Sequence, residues 1–166
     1  SKGIRDTIAA VFGAKVETDD GGSVTVMGKD AALLTPEDRK KIGAALSESG
    51  FSGMLRVRDV ADILAAMYDD ADRESFLGLC RRFGLPEDKP VREFSTGMKA
   101  KLRVLTALSH SADLLIMDEP TAGLDVEARN EILDMIRDFL ASNEDCSILI
   151  SSHISSDLEN LCDDIY

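Results

Sequence analysis

The sequence predicts an α/β fold: a mostly parallel sheet flanked by helices, with a helical lobe inserted between its two parts. Three observations carry that expectation. Two short apolar runs, Leu114 to Met117 (LLIM) and Ser147 to Ile150 (SILI), lack polar alternation, as strands buried on both faces do. Between them Ile132, Met135, Ile136, Phe139 and Leu140 recur at helical spacing, which makes a strand–helix–strand unit. From about Phe51 to Ser109, amphipathic helical periods follow one another with no strand signal.

Each element has its own local reason. Thr7 to Phe12 reads as the end of a helix capped by Gly13. Ser23 to Met27 (SVTVM) is β-branched and alternating, with glycines on both sides, and is expected to be a strand. Thr35-Pro36-Glu37-Asp38 starts a short helix: a hydroxyl cap, proline in the first turn, then acids at the positive end of the dipole. Ile42 to Leu46 follows as a buried strand. In the lobe, Val60, Ile63, Leu64 and Met67 predict one buried helical face. Phe76, Leu79, Cys80 and Phe83 predict a second, stopped by Gly84 and Pro86. Met98, Leu102 and Leu105 predict a third helix opening after Ser95. Ser155 to Asp163 reads as a last short helix, whose acids around Asp157 to Asp164 are expected to be a solvated face.

Composition narrows the function classes. A chain of 166 residues can bury about 70% of the surface its unfolded form exposes, enough for a proper core. It carries 19 basic and 31 acidic residues, a net charge of −12, which argues against a nucleic-acid backbone as the partner. A bilayer-spanning helix needs about 20 apolar residues, and the apolar runs here are far shorter. Three widely spaced cysteines without a CxxC pair argue against a disulfide frame or a structural zinc site, and fit reduced thiols in cytoplasm. Both ends are abrupt: the chain opens inside a predicted helix and stops at Ile165-Tyr166, where a further strand is expected, so it reads as truncated at each end.

Three local patterns carry chemistry. The strand Leu114 to Met117 ends in Asp118-Glu119-Pro120, which puts two carboxylates at the carboxyl edge of a parallel sheet, where α/β proteins bind ligands. One acid there can hold Mg²⁺ and the next can orient and deprotonate a water. Phe94-Ser95-Thr96-Gly97-Met98-Lys99 opens a helix, where free N–H groups, the dipole and a missing Cβ suit an anion. His153 follows the second strand directly and can donate to a phosphate. Taken singly, each has an ordinary explanation: an acidic turn, a serine cap beside a glycine, a lone histidine.

Order and spacing together change that reading. FSTGM (Phe94 to Met98), LLIMDE (Leu114 to Glu119), AGLD (Ala122 to Asp125) and His153 occur in the sequence in which the ATP-binding subunits of ABC transporters carry their LSGGQ signature, Walker B strand, D-loop and switch histidine. The joined run DEPTAGLD, Asp118 to Asp125, is very specific to that family, and nearly all 166 residues take part in the resemblance. FSTGMKAKL followed by SSHISSDLE is most similar to bacterial exporter-type subunits.

The resemblance implies a P-loop-type sheet, with residues 1–50 and 110–166 as a partial ATPase core and 51–109 as the helical signature subdomain. It implies that Asp118 holds Mg²⁺ through water, that Glu119 is the general base, and that His153 contacts both the γ-phosphate and Glu119. Ser95 and Gly97 would bind the γ-phosphate of ATP held by a second subunit, and Asp125 would cross that interface. ATP and Mg²⁺ are the implied ligands. A head-to-tail second nucleotide-binding subunit and a transmembrane permease are the implied partners, at the cytoplasmic face of the membrane.

Three departures from the family pattern follow. Thr96 and Met98 stand where the signature has its first glycine and its glutamine. Ser47 falls near the Q-loop glutamine, leaving the neighbouring Glu48 as its stand-in. No GxxxxGK[ST] loop appears, and its expected end coincides with Gly3 to Thr7, so the loop is either upstream or degenerate. These departures keep a second class open: a non-catalytic ABC-like module that dimerises without hydrolysing. A soluble ABC ATPase of DNA repair or translation is disfavoured by the acidic charge and by the lack of a coiled-coil or zinc insertion in the lobe.

Overall fold

The structure is a computed structural model and describes residues 24–46, 51–159 and 161–162. The expected helix Thr7 to Phe12, the segment Gly3 to Thr7, and Ser47 with Glu48 lie outside the described residues.

The sheet is built from β3 (Ile42–Ala45), β4 (Leu114–Asp118) and β5 (Ser147–Ser151), all parallel, with β4 in the centre. Register is continuous: Ile42 stands opposite Leu114, Leu114 opposite Ser147, and Asp118 opposite Ser151. The lack of alternation in β4 has a direct cause. Leu115 and Met117 enter the large core with Val104, Leu105, Ile132 and Ile136, while Ile116 enters a smaller one with Val26, Ala31, Leu34 and Ile42. Strand side chains alternate in direction, so a strand with a core on each side must be apolar throughout.

Ahead of the sheet, β1 (Thr25–Val26) and β2 (Lys29–Asp30) form an antiparallel hairpin. The sequence reading of Ser23 to Met27 as a single strand is corrected here. Val26 pairs with Lys29, so Met27 and Gly28 are the two turn residues, with φ of 53° and 77°. A two-residue hairpin whose twist matches its strands needs positive φ at both positions, and Gly28 supplies one of them without strain. α1 (Pro36–Lys40) has the predicted start: the Thr35 side chain accepts from the Asp38 N–H, and the Asp38 carboxylate accepts from the Thr35 N–H.

The middle of the chain folds as α2 (Val57–Met67), α3 (Arg73–Arg82) and α4 (Thr96–Ala107). α2 packs on α3, α3 on α4, and α4 lies against β3. Val60 and Leu64 face the core as expected, but Ile63 and Met67 do not, at 44% and 53% exposure. Val57 and Ala61 take their places. They give the same i, i+3, i+4, i+7 spacing from three residues earlier. α3 buries Phe76, Leu77 and Cys80, with Leu79 and Phe83 at the margin. α5 (Val126–Ser142) joins β4 to β5 and packs on α4. α6 (Ser155–Glu159) follows the second strand end.

Among the described residues no helix is long and apolar enough to cross a membrane.

Candidate functional site

Strand register builds the first part of the site. Because Asp118 stands opposite Ser151, the residues just beyond each strand end come together at one edge of the sheet. The Ser151 hydroxyl donates to Asp118 Oδ1 at 2.7 Å and accepts from the Glu119 N–H at 3.1 Å. The Glu119 N–H also reaches the Ser151 carbonyl at 3.1 Å. Glu119 has φ of +48°, a left-handed backbone that a non-glycine residue adopts at a cost and keeps only where its surroundings hold it. That turn swings its carboxylate over the end of β5. There Glu119 Oε2 lies 2.7 Å from His153 Nδ1 and accepts from the His153 N–H at 3.3 Å. The imidazole is 64% exposed and the carboxylate 30%, so the pair sits at the surface, open to a ligand.

The second part lies at the start of α4. Ser95 is the N-cap, its hydroxyl accepting from the Met98 N–H at 3.2 Å. Asp125 is the N-cap of α5, accepting from the Ala128 N–H at 2.8 Å. The two helix starts flank a cleft of about 440 Å³ lined by Ser95, Gly97, Lys101, Asp125 and Ala128 among others. A Cβ at Gly97 would lie 3.3 Å from the Ala128 Cβ, so glycine there keeps the cleft open. Lys101 is ion-paired with Glu131 on its wall.

The structure therefore brings the predicted residues together in two groups. Asp118, Glu119 and His153 share the sheet edge, while Ser95, Gly97 and Asp125 share the cleft, whose lining includes none of the first three. Glu48 lies outside the described residues.

The start of α4, kept open by Gly97, brings a positive dipole end to the cleft, but Asp125, Glu127 and Glu131 also line it against Lys101, and the Met98 and Ala128 N–H groups are already bonded to the two caps. Asp118 is a hard oxygen donor of the kind that suits Mg²⁺, which is commonly held by one or two carboxylates with phosphates and water supplying the rest.

Two features escaped the sequence reading. Ser151 belongs to no motif of its own, although counting residues from the ends of the two strands places it beside Asp118. Asp157, expected on a solvated face, is 1% exposed. Its Oδ2 accepts from the Thr121 hydroxyl at 2.7 Å, and its Oδ1 lies 2.9 Å from Arg129 Nε. A buried acid is predictable only from its partners, and these come from distant positions.

Comparison with known proteins agrees with this fold. Residues 85–156 match the family model described as an AAA domain, putative AbiEii toxin, Type IV TA system. A lantibiotic transport ATP-binding protein of Streptococcus pyogenes, SrtF, is 34% identical over 144 residues, covering 86% of this chain and 60% of that protein. The linearmycin resistance ATP-binding protein LnrL of Bacillus subtilis is 31% identical over 155 residues, covering 88% of this chain and 48% of the relative. An ATP-binding subunit of an ABC transporter superposes with a TM-score of 0.76 at 24% identity, over 96% of this chain and 67% of its own. The cassette MJ0796 in a dimeric post-hydrolysis state with ADP and Pi superposes at 0.75 and 17% identity, over 96% of this chain and 72% of its own. The chain spans 60% and 48% of the lengths of these two curated relatives. By sequence the chain is similar to ATP-binding proteins of ABC transporters, and by fold to their ATP-binding domains, each of which it covers only in part.

Proposed function

We propose that this chain is a large part of an ATPase domain that, in the full-length protein, binds MgATP and hydrolyses it to drive transport across a membrane. The observation that carries the proposal is the pairing of Glu119 with His153 at 2.7 Å, on the strand edge that also holds Asp118.

The proposed roles follow from the geometry. His153 engages Glu119 Oε2, which leaves Oε1 to accept a proton from a water. A general base so placed contributes typically about 10²–10⁴-fold. His153 Nδ1 is the atom that meets Glu119, which leaves Nε2 to meet a phosphate oxygen. Asp118, oriented by the Ser151 hydroxyl, holds Mg²⁺ through water. Bound Mg²⁺ would neutralise charge on the triphosphate.

Ser95 and Gly97 lie in a separate cleft, so they serve the same triphosphate only if a second copy presents them. MJ0796 assembles as a dimer with nucleotide, which supports a head-to-tail pair here. In this reading Asp125 lies at the interface, residues 51–109 act as the helical subdomain that meets a transmembrane permease, and Glu48 replaces the Q-loop glutamine. The domain sits at the cytoplasmic face of the membrane, with no nucleic acid as partner. Ser47, standing near the place of the family's Q-loop glutamine, favours a second reading, a dimerisation module that does not hydrolyse ATP.

Glu119→Gln in the full-length protein separates the two. The ATPase reading expects ATP binding within about twofold of wild type and turnover lower by about 10²–10⁴-fold. Equal turnover in both proteins would remove Glu119 as the base, and no turnover in either would favour the second reading.

A further inference from the structure

We propose that Asp157, through Thr121 and Arg129, is a positioning residue that holds Glu119 and His153 in register with each other. The proposal rests on the ATPase reading above for its consequence in turnover, but on geometry alone for its structural content.

Asp157 links the three chain segments that carry the candidate site. Thr121 is two residues beyond Glu119, Asp157 is four beyond His153, and Arg129 is four beyond Asp125. The Thr121 hydroxyl, itself 1% exposed, donates to Asp157 Oδ2 at 2.7 Å. Arg129 Nε lies 2.9 Å from Oδ1, close enough for charge pairing but not aligned as a hydrogen bond. Its Nη2 donates to the neighbouring Ser156 hydroxyl at 3.0 Å.

A carboxylate at 1% exposure is an expensive way to fill space. An apolar side chain of similar volume at position 157 would seat a five-residue helix just as firmly, because replacing a buried ion pair by packed apolar groups is often neutral or stabilising. What the apolar residue lacks is direction. Dispersion contacts tolerate sliding, whereas the Thr121 hydroxyl bonded to the carboxylate fixes α6 against the Glu119 loop, and the Arg129 charge draws it toward α5 without fixing its direction. Direction matters here because Glu119 holds a strained φ of +48°, which persists only if the surroundings over-determine it. Ser151 anchors that loop before the strained residue, and Thr121 anchors it after. His153, 64% exposed, has little packing of its own to fix it and lies two residues ahead of α6.

The test uses the full-length protein with Thr121→Val, which keeps the shape and removes the hydroxyl, and Thr121→Ser, which keeps the hydroxyl. Displacement of a reacting group by about 1 Å can cost 10²-fold. Thr121→Val is therefore expected to lower kcat by about 10–100-fold with the KM for ATP nearly unchanged, and Thr121→Ser to recover most of it. Independently of turnover, the ¹⁵N resonance of His153 Nδ1 in nucleotide-free protein should move in Thr121→Val toward its position in Glu119→Ala, and stay in place in Thr121→Ser. Should Thr121→Val not fold, Arg129→Ala at the more exposed end of the network should move both readings in the same direction by a smaller amount. A folded Thr121→Val or Arg129→Ala with wild-type kcat and an unmoved His153 resonance overturns the proposal. If Glu119→Gln leaves turnover intact, the ATPase reading fails while the resonance still decides whether the network positions the pair.

Discussion

Replacing Gly43 by alanine tests how closely α4 is pressed onto the sheet. Gly43 is the second residue of β3, opposite Leu115. A Cβ added there would lie 2.3 Å from the Ala107 carbonyl oxygen and 2.7 Å from Leu115 Cδ2. Carbon and oxygen normally approach to about 3.3 Å, so a gap of about 1 Å must open. The leucine tip can rotate away, but the carbonyl belongs to the last turn of α4 and moves only with the helix. A radial gap of about 0.5–1 Å forfeits a quarter to a half of each dispersion contact across it, and overpacking of this kind costs about 1–3 kcal/mol. The stiffer unfolded chain offsets about 0.4–1 kcal/mol of that. Because the obstructing atom is backbone, a net loss of about 2 kcal/mol is expected, which lowers Tm by about 4–8 °C in a protein of 150–250 residues. Gly78→Ala is the matched control: its Cβ meets only Arg81 Nη2, at 3.9 Å, inside α3, where alanine is favoured over glycine by about 0.5–1 kcal/mol. Thermal unfolding of both variants in the full-length protein should show opposite signs. A Tm for Gly43→Ala equal to or above wild type would refute the close contact of β3 with the end of α4.

Ser95→Ala should cost about 1 kcal/mol by uncapping α4, read as a lower Tm, and should also cut ATP turnover more than the stability loss explains; a fall in Tm with full turnover would leave Ser95 a cap and nothing more. His110 stacks on Tyr68 at 3.9 Å, is buried, and neither ring nitrogen meets a hydrogen-bond partner in good geometry. Burial pushes its pKa below the ordinary histidine value, with the Asp70 charge only partly opposing the effect. The unfolded chain then binds more protons than the folded one below about pH 6.5, so stability is complete above that pH and falls as pH drops toward the folded-state value. His110→Phe keeps the stack and cannot titrate, so the drop in Tm between pH 7.5 and about pH 5.5 should shrink in this variant; an unchanged drop would place the pH dependence elsewhere.

The sequence made the parallel strands legible because their chemistry has only one reading. A run such as Leu114 to Met117 that is apolar on both faces must sit between two cores, and it does. The start of α1 was equally plain, since Thr35, Pro36 and Asp38 act within one turn. Features set by distant partners were hidden. Val57 and Val60 offer α2 the same spacing as Val60 and Ile63, and only packing against α3 selects between the two faces. The strand at Thr25 ends early because Met27 is taken by a turn, and its partner, Lys29-Asp30, has no apolar pattern to announce it. At the site, Asp118, Glu119 and His153 were found by their positions at strand ends. Ser151 and Asp157 needed the register of β4 with β5 and the path of α6.

The most direct test is a structure of the full-length protein carrying Glu119→Gln, determined with MgATP. A γ-phosphate within hydrogen-bond distance, about 2.7–3.2 Å, of His153 in one copy and of the Ser95 hydroxyl in a second copy is the expected result. Nucleotide bound away from His153, or both copies turning their Ser95–Gly97 clefts to solvent, would contradict the proposal that the strand edge and the α4 cleft serve one triphosphate.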